Sequence, residues 1–227
     1  IVGQTLVART IAALRATPQI EHIVVVAPAQ ALGDPALREA DERRPDGPRM
    51  IESLQSGVAG FPTDEPVIVT AADLPILTPG ATGRFIAAVA ARDLDLAYAI
   101  VERAVHRARY PNVPHTWAHL RDGTFCGGGM VMLRPRVVAR LLPVLDAFGA
   151  ARKSPLRLAS LLGWDVLLRL ALRQLSVADA QARASRILGA SVGAIVCPDP
   201  EIAVNVDRPS DIPLACALVS ASSTMER

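Results

Sequence analysis

Apolar positions along the chain fall into two alternating rhythms. Leu6, Val7, Ile11 and Leu14 recur near a helical period and predict a helix over 5–16, after which 23–26 is a short continuous apolar run of the kind a buried strand makes. The same alternation returns further on. A helix is expected over 50–59, a strand over 67–70, a helix over 80–91 and a strand over 94–101. Residues 125–133 predict a strand interrupted by Gly127, Gly128 and Gly129, followed by a helix over 136–148. Helical spacing recurs over 155–174 as a Leu/Val stripe that reads as core or a dimer face. Ser176 with Asp179 marks the N-terminus of a helix ending before Gly189, and a last strand spans 192–196.

Two stretches break the rhythm. Residues 28–48, rich in Pro, Asp, Arg and Glu, predict exposed connection with a short helix at 35–40. Residues 102–124 carry Arg103, His106, Arg107, Arg109, Tyr110, His115, Trp117 and His119 without apolar periodicity, and read as a long irregular excursion of the functional kind. Strands alternating with helices of these lengths predict an α/β fold in one domain, 1–227, with a mostly parallel central sheet covered by helices on both faces.

Composition sharpens this picture in one respect and limits the partners in others. Apolar residues make up 51% of the chain and aromatics only 4%, so the core must be built from Ala, Val, Leu and Ile, as in helices packed on a parallel sheet. The formal charge of +2 argues against nucleic acid as a partner and leaves anion binding to local groups. No apolar run approaches the roughly 20 residues needed to span a bilayer. With three scattered cysteines that lack metal-ligand spacing, the expectation is a soluble cytoplasmic protein with no membrane partner.

The candidate chemistry begins with a carboxylate at the tip of the most hydrophobic strand. Val67-Ile-Val-Thr-Ala-Ala-Asp73-Leu-Pro75 places Asp73 where ligands bind in open α/β sheets, beyond the carboxyl end of a strand, although a plain turn stiffened by Pro75 and Pro79 accounts for the pattern equally well. Asn205, Asp207 and Asp211 occupy a second strand-then-turn setting. Two carboxylates converging on one cleft suit a hard divalent cation such as Mg²⁺, which takes one or two protein carboxylates and completes its shell with water and phosphate oxygens. Asp211 is expected instead to cap the last helix. Arg152-Lys153 are a cation pair for an acceptor phosphate or carboxylate, against the reading as solvated surface, and Arg103, Arg107 and Arg109 in the basic excursion are stronger acceptor-side candidates. The three glycines permit either close backbone approach to a ligand or a bulge. Surface roles are expected for His106, His115 and His119, and Cys126 reads as a small buried residue.

Three segments carry a resemblance. Val69-Thr-Ala-Ala-Asp73-Leu-Pro75 with Leu77-Thr-Pro79, then Asn205-Val-Asp207-Arg-Pro209-Ser-Asp211, and Arg49-Met-Ile-Glu-Ser53-Leu-Gln-Ser-Gly57 resemble, in order and separation, segments of molybdenum-cofactor guanylyltransferase-like nucleotidyltransferases. The resemblance implies the Rossmann-like fold shared with type A glycosyltransferases, and transfer of an NMP unit from an NTP to a small phosphorylated or hydroxylated acceptor with release of pyrophosphate. It implies Mg²⁺ held by Asp73 and Asp207, with Asn205 as an auxiliary, and substrate contacts at Ser53, Gly127 and Gly128. GTP or CTP is the favoured nucleotide, and a homodimer is possible. The family's opening Gly-rich phosphate loop is not among these residues, and Ile1-Val-Gly3 resembles the family's segment just after that loop. A strand and that loop, roughly 15 to 30 residues, are expected ahead of Ile1. A sugar-nucleotide-consuming glycosyltransferase and a degenerate nucleotide-binding regulator are the competing readings.

Overall fold

The computed structural model describes residues 1–151 and 161–225. Helix α1, Leu6–Arg15, starts where the Thr5 hydroxyl accepts the Ala8 N–H at 3.2 Å, and it buries Thr10, Ile11, Ala13 and Leu14. Strand β1, Val24–Ala27, pairs in parallel with β2, Glu42–Pro45.

Strand β2 overturns the expectation of plain connection over 28–48. Its sequence, Glu-Arg-Arg-Pro, has no strand propensity, so tertiary bonds hold it in place. Arg44 donates to the carbonyls of Ser56, Gly57 and Ala59 at 2.8, 3.1 and 2.7 Å, satisfying the end of helix α2, Met50–Val58.

The larger sheet contains β3 (Val67–Thr70), β4 (Leu96–Glu102), β5 (Ala118–Leu120), β6 (Gly123–Leu133) and β7 (Val192–Val196). Its order is β3-β6-β4-β7, with β5 paired to β6. Strand β6 runs antiparallel to both β3 and β4, while β4 and β7 are parallel, so β3, β4 and β7 end at one edge of the sheet. Helix α3, Pro79–Ala90, follows β3 with Thr78 as its cap and Pro79 in its first turn. The excursion expected over 102–124 is largely ordered. It forms helix α4, Arg103–Arg109, and strand β5.

The remaining α-helices among the described residues are α5 (Val138–Ala151), α6 (Trp164–Ala171), α7 (Val177–Leu188) and α8 (Ile212–Met225). Ser176 and Asp179 form the expected capping box at α7, which ends on Gly189 at φ 62°. On α6, Val166 is buried while Trp164, Leu168 and Leu170 are exposed, so this end of the Leu/Val stripe is core along one line only.

Adjacent residues of β6 show how both faces of the sheet are covered. Met132 packs into the main core with Ile11 and Leu14 of α1 and Phe85 and Val89 of α3, whereas Leu133 points the other way, onto Val58 of α2 and Val138 of α5. A third cluster joins Ile76, Tyr110, Val113 and Val204 to Val219 of α8, gathering three separate loops at the carboxyl edge. No helix among the described residues is long and apolar enough to cross a membrane.

Candidate active site

The end of β3 is fixed before the chain reaches Asp73. The Thr70 hydroxyl and the Ala71 N–H both donate to the Gly129 carbonyl, at 3.2 and 2.8 Å, and Leu74 is fully buried. Between these anchors Asp73 is half-buried, and its Oδ1 is a buried atom without a hydrogen-bond partner. Burial raises the Asp73 pKa above the usual carboxylate range, and the charge of Asp207 adds to the rise.

The second acidic segment is stapled to the first. The Val206 N–H donates to the Asp73 carbonyl at 3.2 Å. Upstream, Arg84 of α3 grips Asp199 with two parallel bonds, and the Thr78 hydroxyl donates to Glu201 at 3.1 Å, holding the 3-10 turn Pro200–Ala203 against α3. Asp207 itself is exposed, and its Oδ1 accepts the Asn205 amide at 2.8 Å. Asp73 and Asp207, far apart in sequence, therefore come within electrostatic reach beyond the carboxyl end of β3.

Asp211 corrects its expected role. Its Oδ2 accepts the N–H groups of Asp207 and Arg208 at 3.1 and 2.9 Å, so it reaches back to shape the turn that carries Asp207 rather than forward to cap α8. Asp211→Ala removes the shared acceptor of both bonds and is expected to lower stability by about 1–3 kcal/mol, which urea unfolding measures. A change below about 0.5 kcal/mol would show that the turn holds without it.

The histidines depart furthest from expectation. His106 lies on the inner face of α4 at 0% exposure, and neither ring nitrogen has a hydrogen-bond partner. Its ring meets those of His115, Trp117 and Tyr110 edge-on, with centroids 4.4, 5.6 and 5.9 Å away. Burial, then the neighbouring His115 and Arg107, lower its pKa to about 4, so the ring is neutral. The Nε2 of His115 is likewise buried and unpartnered. His119 bonds Thr124 at 3.2 Å across the β5–β6 pair. The readable signal was the concentration of Tyr110 and Trp117 beside these histidines in a chain with few aromatics.

The other expected site residues separate into groups. Arg107 lines an open cavity of about 460 Å³ with Glu102, Arg103, Ala104 and Thr124, and it donates to the Pro111 carbonyl at 3.0 Å. Arg109 lies elsewhere, with its guanidinium 6.0 Å from the Tyr110 ring centroid. Ser53 is engaged locally, accepting the Gly47 N–H at 3.1 Å. Gly127 and Gly128 have a packing reason. A Cβ at Gly127 would lie 1.9 Å from the Tyr98 hydroxyl, and one at Gly128 would lie 2.7 Å from Ile202 Cγ2. The register between β4 and β6 shifts there, so the bulge is what these glycines build. Arg152 and Lys153 lie outside the described residues. Cys126 is buried as expected, and burial pushes its thiol up to about 11.

A family model for the MobA-like NTP transferase domain matches residues 1–194. A hypothetical transferase from Thermus thermophilus shares 37% identity and superposes with a TM-score of 0.78 over 91% of this chain and 85% of that one. The 4-diphosphocytidyl-2C-methyl-D-erythritol synthase of Anaerococcus prevotii is 11% identical, with a TM-score of 0.61 over 97% of this chain and 88% of its own. A CMP:2-keto-3-deoxy-manno-octonic acid synthetase complexed with CTP is 13% identical, with a TM-score of 0.56 over 98% of this chain and 90% of its own. These last two share the fold. No curated protein matches the sequence.

Proposed function

This chain belongs to the MobA-like NTP transferase domain family, and we propose that it transfers the NMP unit of GTP or CTP to a small acceptor through a Mg²⁺ site made by Asp73 and Asp207. The observation that carries the metal assignment is the buried, unpartnered Oδ1 of Asp73, on a carboxylate whose ionisation is opposed by burial and by Asp207. Such a pair gains most from a cation between its members. Among the described residues no group of three or more His, Cys, Asp or Glu surrounds a common point. Two carboxylates fit Mg²⁺ nonetheless, because that ion keeps water and substrate phosphates in its remaining positions.

When bound, the cation would neutralise charge on the α-phosphate and on the departing pyrophosphate. The chain supplies positioning. Asn205 orients Oδ1 of Asp207, Asp211 shapes its turn, and the Val206–Asp73 bond keeps the two acidic segments in register. An acceptor oxygen forms a new bond to the α-phosphorus while the α–β bridging bond breaks. Pyrophosphate leaves with the bridging oxygen, and the proton of a hydroxyl acceptor passes to solvent water. The glycosyltransferase reading lacks its Asp-x-Asp signature, since Ala71 precedes Asp73 at that spacing.

Thermal-shift measurements with each of the four common NTPs, with and without Mg²⁺, test this. One nucleotide at a hundredfold excess over its Kd should stabilise the protein by about 2.7 kcal/mol, and only with the cation. A protein unmoved by every nucleotide in the presence of Mg²⁺ would defeat the reading.

A further inference from the structure

The basic cavity at the end of β4 has a composition that neither the metal site nor the core explains. Glu102 is the last residue of β4, and Arg103 and Arg107 stand four apart on one face of α4, the spacing that places two side chains side by side. Thr124 closes the cavity from β6, and Ala104 contributes only a methyl group. Both arginines are exposed. Arg107 spends Nη1 on the Pro111 carbonyl, and the Arg103 side chain makes no hydrogen bond or ion pair among the described residues. The volume of about 460 Å³ suits a small molecule.

Its charge narrows the class. Two guanidinium groups match an oxyanion in a forked geometry, whereas a triphosphate would bring its several negative charges against Glu102. The Glu102 carboxylate and the Thr124 hydroxyl suit the hydroxyl groups of the same molecule. His115 lies within electrostatic reach of Asp207 in the acidic site and of Arg107 in the cavity wall.

We propose that this cavity binds the acceptor, a hydroxylated small molecule bearing a phosphate monoester or carboxylate gripped by Arg103 and Arg107, with Glu102 and Thr124 taking its hydroxyls. Of the three arginines expected on the acceptor side, Arg103 and Arg107 line the cavity and Arg109 does not. The assignment of the occupant as acceptor rests on the nucleotidyl-transfer reading, while the oxyanion site itself stands on the cavity alone.

The test is an NMR titration of the protein with inorganic phosphate and, separately, with acetate, at constant ionic strength in sodium chloride. Saturable shifts are expected at the Nε–H resonances of Arg103 and Arg107 and at the amides of Ala104 and Thr124. Arg103→Ala and Arg107→Ala should each weaken binding at least about fivefold, which is roughly 1 kcal/mol at 1.4 kcal/mol per tenfold. Glu102→Gln should not weaken it. A response to phosphate alone assigns a phosphate monoester, and a response to acetate admits a carboxylate. Absence of saturable shifts with both anions, or affinities unchanged in the two arginine variants, overturns the site. Nucleotide binding with Mg²⁺, measured in the double variant, should stay within about twofold of wild type. If it collapses, the cavity holds the triphosphate and the acceptor assignment fails. An intact phosphate titration in a wild-type protein that binds no nucleotide would sink the transferase reading and leave an oxyanion site.

Discussion

Asp73→Asn and Asp207→Asn are each expected to lower pyrophosphate release by at least about a hundredfold, with the nucleotide and acceptor that the wild type turns over at saturating Mg²⁺. A hundredfold corresponds to about 2.7 kcal/mol of lost transition-state stabilisation, well within what one ligand of a phosphate-bridging cation supplies. The two variants should differ in a second property. Asp73 has a raised pKa in the folded protein, so its favourable contribution belongs to the protonated form and is lost as pH rises through that value. At pH 7 the folded state therefore carries a carboxylate that it disfavours. Asn at this position removes that charge, and the melting temperature measured without divalent cations should rise while activity falls. Opposite movement of stability and activity is the mark of a residue held for function at a cost to the fold. Turnover within a few-fold of wild type in both variants would remove the metal assignment.

The second large effect is acid destabilisation through His106. Its ring is buried and neutral, with a pKa lowered from 6.5 to about 4. The stability this neutral ring supports is fully present above pH 6.5 and is lost as pH falls toward 4, because the unfolded chain takes up the proton first. The shift corresponds to on the order of 3 kcal/mol. His115, lowered chiefly by burial, acts in the same direction. Asp73 acts in the opposite one, so the informative quantity is the difference between wild type and His106→Leu. The leucine variant should show a shallower decline in stability between pH 6.5 and 4, measured by urea unfolding at several pH values. Parallel curves for the two proteins would show that His106 is not protonated on unfolding in that range.

The alternation of helical and strand patterns predicted α1, α2, α3 and the strands β1, β3, β4, β6 and β7 to within a few residues, because each buries a local apolar face that its own sequence displays. The elements that escaped lack such a face. Strand β2 is Glu-Arg-Arg-Pro and exists through pairing with β1 and the reach of Arg44 to α2. Helix α4 hides its buried residue as a histidine, which no apolar count registers until the ring is seen among Tyr110, His115 and Trp117.

The candidate site divides along the same line. Asp73 and Asp207 were legible because each ends an apolar run and is followed by a proline turn, a local arrangement that the sequence by itself determined. Arg107 was legible as a cation in an unusual segment. Only the tertiary structure decided that Asp211 bends back onto Asp207, that Gly128 makes room for Ile202, that Arg109 turns to Tyr110, and that Arg103 joins Arg107 over a cavity closed by Thr124. The physical reason is range. Periodicity and turn chemistry act over a few residues and are written in neighbouring side chains, whereas the meeting of β3 with the segment after β7, and of α4 with β6, depends on sheet order, which joins residues far apart in the chain through bonds that no short stretch contains.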